Sequence, residues 1–82
     1  MVLGRKTACE KVASFLMDVA VRHGGEDVPL PMGRQDMADY LGLTIETVSR
    51  MVTQLQGSQI VEFANSRQFR VTRWPALDRL AA

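Results

Sequence analysis

The chain of 82 residues holds one cysteine, one tryptophan, one tyrosine and one histidine, and its ten Lys and Arg barely outnumber its nine Asp and Glu. Each scarcity removes a class of function. With Cys9 alone, an intramolecular disulfide is excluded and an iron–sulfur cluster held within this chain is untenable. His23 has no second ligand-type residue at metal spacing and no evident orienting carboxylate, so neither a metal site nor acid–base catalysis is expected there. No Ser or Cys has a base in motif register and no Gly-rich phosphate loop occurs, so neither an enzyme nor a bound cofactor is expected. No apolar run is long enough to cross a bilayer, and acidic residues interrupt every apolar stretch of residues 1–30, so no membrane partner and no secretory signal are expected and the cytoplasm is the expected location. A net charge of +1 excludes a polycation that holds any nucleic acid by bulk attraction.

What is present describes a small globular domain, with 46% hydrophobic and 23% charged residues. A chain of this length makes one domain that buries only about 60% of its unfolded surface, so modest stability is expected. The charge is unevenly placed. Between Thr44 and Trp74 the bases Arg50, Arg67, Arg70 and Arg73 face only Glu46 and Glu62, whereas residues 1–27 are balanced.

Residues 34–56 carry two amphipathic patterns hinged at Gly42. In the second, a turn of about 100° per residue gathers Val48, Met51, Val52 and Leu55 on one side and Glu46, Ser49, Arg50 and Thr53 on the other. Thr44 is a suitable N-cap, able to accept from the backbone of Glu46 or Thr47, and Gly57 marks the end. In the first pattern, Gln35 to Leu41, the residues Met37, Ala38 and Leu41 face inward, Ala38 permits close approach and Gly42 supplies a left-handed turn.

Before this unit, the spacing predicts a helix from about Arg5 to His23, with Val12, Phe15, Leu16 and Val19 inward and Lys11, Ser14, Asp18 and Arg22 toward water. Cys9 falls on the Val12 and Leu16 side, as a small buried residue rather than a redox sensor. The stretch Val28-Pro29-Leu30-Pro31-Met32 reads as a short extended edge segment. Beyond Gly57, Ile60 to Phe63 and Phe69 to Arg73 read as strands joined by a turn at residues 64–68. Trp74-Pro75 introduces a last short helix whose Leu77 and Leu80 pack back on the first, with Trp74 in the core. The fold expected is mainly α with a small antiparallel β-sheet, a winged helix-turn-helix spanning residues 5–82.

From Met32 to Leu55 the chain resembles the helix-turn-helix signature of the Crp/Fnr family of bacterial transcription regulators, with Arg34, Ala38, Gly42, Thr44, Thr47, Ser49 and Arg50 at matching positions. The segments LGRKTACEKVASFL and LGLTIETVSR look most like the Fnr and FixK branch. The resemblance implies sequence-specific binding of double-stranded DNA, with a TTGAT-like half-site in an inverted repeat read by a homodimer of the full-length protein. It also implies a sensory β-roll and a long dimerisation helix ahead of this domain, with residues 1–4 as the stub of that hinge.

Side-chain chemistry assigns base contacts to the exposed face. Arg50 can donate twice to guanine, Glu46 can accept from the cytosine amino group and orient the guanidinium, Ser49 can bond an adjacent base or phosphate, and Ile45 can meet a thymine methyl. The resemblance implies the same roles for Glu46, Ser49 and Arg50. Arg34, Thr44, Thr47, Thr53 and Arg67 are candidates for phosphate contacts. The loop Val21 to Pro29 aligns with the region that family activators present to RNA polymerase, here with Glu26 and Asp27. The alternative is a winged helix that docks on a protein and does not bind DNA; the outward Glu and Arg, with no aromatic anchor, argue against it.

Overall fold

The computed structural model describes residues 6–82 and consists of α1 (Ala8–His23), β1 (Val28–Pro29), α2 (Arg34–Leu41), α3 (Ile45–Gly57), β2 (Val61–Asn65), β3 (Gln68–Val71) and α4 (Trp74–Ala81). The helical bundle and small sheet are those expected of a winged helix-turn-helix. The expected start of α1 at Arg5 and the stub at residues 1–4 lie outside the described residues.

Helix α1 starts at Ala8 because Thr7 and Glu10 form a reciprocal cap: the Glu10 backbone N–H donates to Thr7 Oγ1 (3.2 Å) and the Thr7 N–H donates to Glu10 Oε1 (2.8 Å). It closes at Gly24, whose φ of 76° lies in the left-handed region. Its buried face is Val12, Ala13, Leu16 and Ala20, while Phe15 and Val19, expected inside, are only half-buried. The alanines go deepest because their small side chains let neighbouring elements approach. Phe15 instead lies on the α2 side, its ring 5.7 Å from that of Tyr40. Lys11 and Ser14 do more than face water. Ser14 Oγ donates to the Ala81 carbonyl (2.9 Å), Lys6 Nζ donates to the same carbonyl (2.9 Å), and Lys11 Nζ donates to the Leu41 carbonyl (3.3 Å). Two helix C-termini, where carbonyls lack partners, are thus closed from α1. Cys9 is half-buried against the core rather than enclosed, and burial, then the neighbouring Glu10 charge, pushes its thiol up from the ordinary value.

The sheet is ordered β1-β3-β2, all antiparallel, with Val28 opposite Phe69 and Val61 opposite Val71. The extended edge segment is shorter than expected, Val28–Pro29, and Pro29 fits there because an edge strand can spare an N–H. The hairpin turn is also shorter. Only Ser66 and Arg67 separate the strands, because Asn65 Oδ1 accepts from the Arg67 N–H (2.8 Å) and closes the turn within two residues, with an irregularity between Phe63 and Asn65.

The core runs between the helices and the sheet, through Leu16, Met37, Val48, Leu55, Phe69 and Leu77 among others, all less than 3% exposed. Trp74, expected in it, is 43% exposed. Pro75 in the first turn starts α4 at Trp74, and the helix face that meets α1 is then set by Leu77, which leaves the indole on the rim. Leu80, like Leu41 of α2, is half-buried.

Candidate nucleic-acid interface

Helix α3 is held from both ends. Thr44 caps it by accepting from the Thr47 N–H (3.2 Å) and donating its own proton to Thr47 Oγ1 (3.0 Å). At the far end the chain does not reverse at Gly57, which lies in the last helical turn; the left-handed residue is Gln59, with φ 60°. Gln59 N–H donates to the Gln56 carbonyl (2.9 Å), and Ile60 N–H to the Leu55 carbonyl (3.0 Å). Ahead of it, Gly42 (φ 72°) ends α2, which begins at Arg34, one residue earlier than its apolar pattern indicates.

The apolar side of α3 is buried as the periodicity requires: Val48, Met51, Val52 and Leu55 are all 8% exposed or less. Glu46, Arg50 and Thr53 are exposed on the opposite side, Ile45 is 36% exposed, and Thr47 and Ser49 are half-buried beside them. Glu46 and Arg50 do not form an ion pair; the pairs among the described residues are Arg22 with Asp18 (3.3 Å) and Arg70 with Asp27 (3.6 Å). Acid and base on this face therefore remain unspent, and the Arg50 guanidinium is not oriented by Glu46 within the protein.

The phosphate candidates divide by what their protons already do. A phosphate oxygen only accepts, so a contact needs a free donor. The Thr53 hydroxyl donates to the Ser49 carbonyl (2.9 Å) and the Thr44 hydroxyl to Thr47, whereas the Thr47 hydroxyl accepts and keeps its own proton. Arg67, near the wing tip, is exposed but donates through Nε and Nη2 to the Leu30 carbonyl (both 3.3 Å), and its carbonyl accepts from the Leu30 N–H (2.7 Å). Three of its guanidinium N–H groups stay outward. Arg34 lies inward: its guanidinium sits over the Phe63 ring at 5.4 Å, and Nη1 donates to Ser49 Oγ at 3.4 Å.

Two residues that sequence reasoning missed join the wing to α3. Phe63 seats Arg34 and stacks on Phe69 (centroids 5.3 Å apart). Gln56 Oε1 accepts from the Phe63 N–H (3.1 Å), which occupies one donor on the open edge of β2. The alternation of Phe63 and Phe69 with polar neighbours signals the sheet, but no local signal points to either contact. In the α1–β1 loop, Glu26 and Asp27 are both exposed, the latter paired with Arg70. Among the described residues no three metal-ligating side chains cluster, and no helix is long and apolar enough to cross a membrane.

A short helix, a tight glycine turn and a second helix that shows polar side chains outward, followed by a β-hairpin packed on its end, define a winged helix-turn-helix domain. Residues 10–80 match the Crp-like helix-turn-helix domain family, and the chain belongs to it, as a DNA-binding domain of the Crp/Fnr type in the FixK branch. It is 47% identical over 81 residues to the nitrogen fixation regulation protein FixK of Rhizobium meliloti, covering 98% of this chain and 38% of that protein. It is 42% identical over 86 residues to the transcriptional activator protein FnrL of Cereibacter sphaeroides, covering 94% of this chain and 35% of that one. The structure of FixK2 from Bradyrhizobium japonicum superposes with a TM-score of 0.89 at 46% identity, over 98% of this chain and 41% of that chain. The chain thus spans well under half the length of these relatives. The family is one of transcription regulators, not of enzymes.

Proposed function

We propose that this domain reads double-stranded DNA in a sequence-specific way for transcription regulation, with α3 in the major groove, and that the full-length protein binds an inverted repeat of TTGAT-like half-sites as a homodimer. The observation that carries the reading is the division of α3: a fully buried apolar side against an outward side on which Glu46 and Arg50 stand exposed and unpaired with each other. Arg50 donates to guanine O6 and N7, Glu46 accepts from a cytosine amino group, Ser49 bonds an adjacent base and Ile45 meets a thymine methyl. Thr47 and Arg67 have donors to spare for phosphates. Thr44 and Thr53 would first have to turn their hydroxyls away from Thr47 and from the Ser49 carbonyl, while Arg34, which gives Ser49 one of its five N–H donors, keeps others beside that contact.

With so few cations around α3, a single copy binds weakly and loses affinity as salt rises, so a dimer is needed to occupy the site. Glu26 and Asp27 form a contact for RNA polymerase on the exposed α1–β1 loop, distinct from the DNA face. The working location is the cytoplasm. The test is a shift assay at low ionic strength that compares an inverted TTGAT repeat with the same duplex carrying a swapped G·C pair. Preference for the intact site, falling steeply with salt, supports the reading; equal binding of both duplexes refutes it. For the loop, substitutions at Glu26 and Asp27 should lower transcription activation while DNA affinity holds, and a proportional loss of both would dismiss a separate polymerase contact.

A further inference from the structure

Arg34 opens α2, yet its guanidinium is spent between two other elements, over Phe63 of β2 and against Ser49 of α3. Its Nε is buried and has no hydrogen-bond partner, and no carboxylate lies within ion-pair distance of the group among the described residues. An uncompensated cation therefore stands directly behind one of the polar side chains on the outward face of α3.

The chemistry of this contact has a direction. A guanidinium has donors only, so Ser49 Oγ must accept from it. Among the described residues no group claims the Ser49 hydroxyl proton, in contrast to that of Thr53, which goes to the Ser49 carbonyl. A positive group bonded to the oxygen polarises the O–H, making it a better donor and a poorer acceptor. The same charge attracts the negative end of a keto group across the groove and repels the positive end of an amino group.

We infer that Arg34 is a positioning residue for specificity: it fixes Ser49 as a hydrogen-bond donor, so that the base facing Ser49 is selected for an acceptor, the O4 of thymine or the O6 and N7 of guanine, and against the amino group of cytosine. This rests on α3 lying in the major groove. The Phe63 ring holds the guanidinium in register, so the wing takes part in base selection without touching a base.

The test uses the 82-residue chain and fluorescence anisotropy at low salt, on half-site duplexes in which each position in turn carries all four base pairs. The variants are Ser49→Ala, Arg34→Met and the double substitution. At the position where Ser49→Ala removes a preference, the unsubstituted chain favours the acceptor-bearing base by about five- to tenfold, as one hydrogen bond from a neutral hydroxyl allows. Arg34→Met should remove the same preference at the same position, and the double variant should lose no more than either alone. Arg34→Met that weakens every duplex equally, keeps the preference at the Ser49 position and lowers the salt slope by about one marks a phosphate contact and overturns the inference. Discrimination of the guanine pair by Arg50 persists in all variants if α3 is in the groove; its absence from the unsubstituted chain would defeat the groove reading itself, and the inference with it. Thermal unfolding checks each variant, and if Arg34→Met does not fold, Arg34→Leu, which also removes both the charge and the donors, is subject to the same two outcomes.

Discussion

Replacing Arg50 by Ala separates reading from folding, because among the described residues this side chain has no hydrogen-bond or ion-pair partner. Arg50 is exposed, makes no ion pair with Glu46 and accepts no capping role, while Ala is at least as good a helix former as Arg. Stability should therefore stay within about 0.5 kcal/mol of the parent. On DNA the loss is that of one bidentate contact to guanine, about 1–3 kcal/mol, or roughly a five- to 150-fold weakening on the intact site. A base contact displaces no counterion from a phosphate, so the slope of log K against log salt should change little. Anisotropy titrations on an inverted TTGAT repeat and on its G·C-swapped counterpart, each at several salt concentrations, read all three quantities. Arg50→Ala should bind the two duplexes alike. An equal loss on both with the preference intact, or a slope reduced by about one, would place Arg50 on the backbone and refute base reading.

Arg67→Ala should weaken binding to every duplex evenly and, because two of its donors hold the Leu30 carbonyl, should also lower stability by about 1 kcal/mol, seen as a shifted urea midpoint at constant m. Thr7→Ala removes half of the reciprocal cap of α1 and should lose about 1 kcal/mol in the same assay, without altering DNA preference. Leu16→Ala, at a fully buried position facing α1's neighbours, should lose about 2–5 kcal/mol, a large share of the stability of so small a domain. Cys9 should alkylate slowly near neutral pH, since a raised thiol pKa leaves less thiolate at any given pH; the rate should climb as pH rises, and Glu10→Gln should increase it by removing a charge that raises the pKa.

Much of this molecule was legible from periodicity. The α3 pattern predicted its buried and exposed sides residue by residue, because large apolar side chains at helical spacing leave one way to bury them. The α1 face was read less well: Phe15 and Val19 weigh more in such a pattern than Ala13 and Ala20, yet close helix packing favours the small residues. The spacing of Thr7 and Glu10 carries the capping signature that starts α1 at Ala8, and Trp74 reads as core because no aromatic residues interleave with the basic ones, although Pro75 leaves its indole on the rim. Gly57 marks the end of α3 as its composition indicates, whereas the left-handed residue that follows is Gln59, a type that carries no such signal. Hidden altogether was the seat of Arg34. Its partners are far along the chain, and no local propensity encodes a contact that exists only after the hairpin has docked on α3.

The order β1-β3-β2 has a bearing on how such domains can be recombined. Pairing of Val28 with Phe69 closes a ring of chain that contains both helices of the DNA-facing unit, and Leu30 and Arg67 tie that ring at its neck. A graft of residues 33–57 into a relative keeps that ring whole, since both of its clasping strands stay with the host. A graft that begins between β1 and α2 and runs to the C-terminus splits the clasp between donor and host. The side chains at 28, 30, 67 and 69 must then be matched as one set, or the hairpin loses its seat before any nucleotide is met.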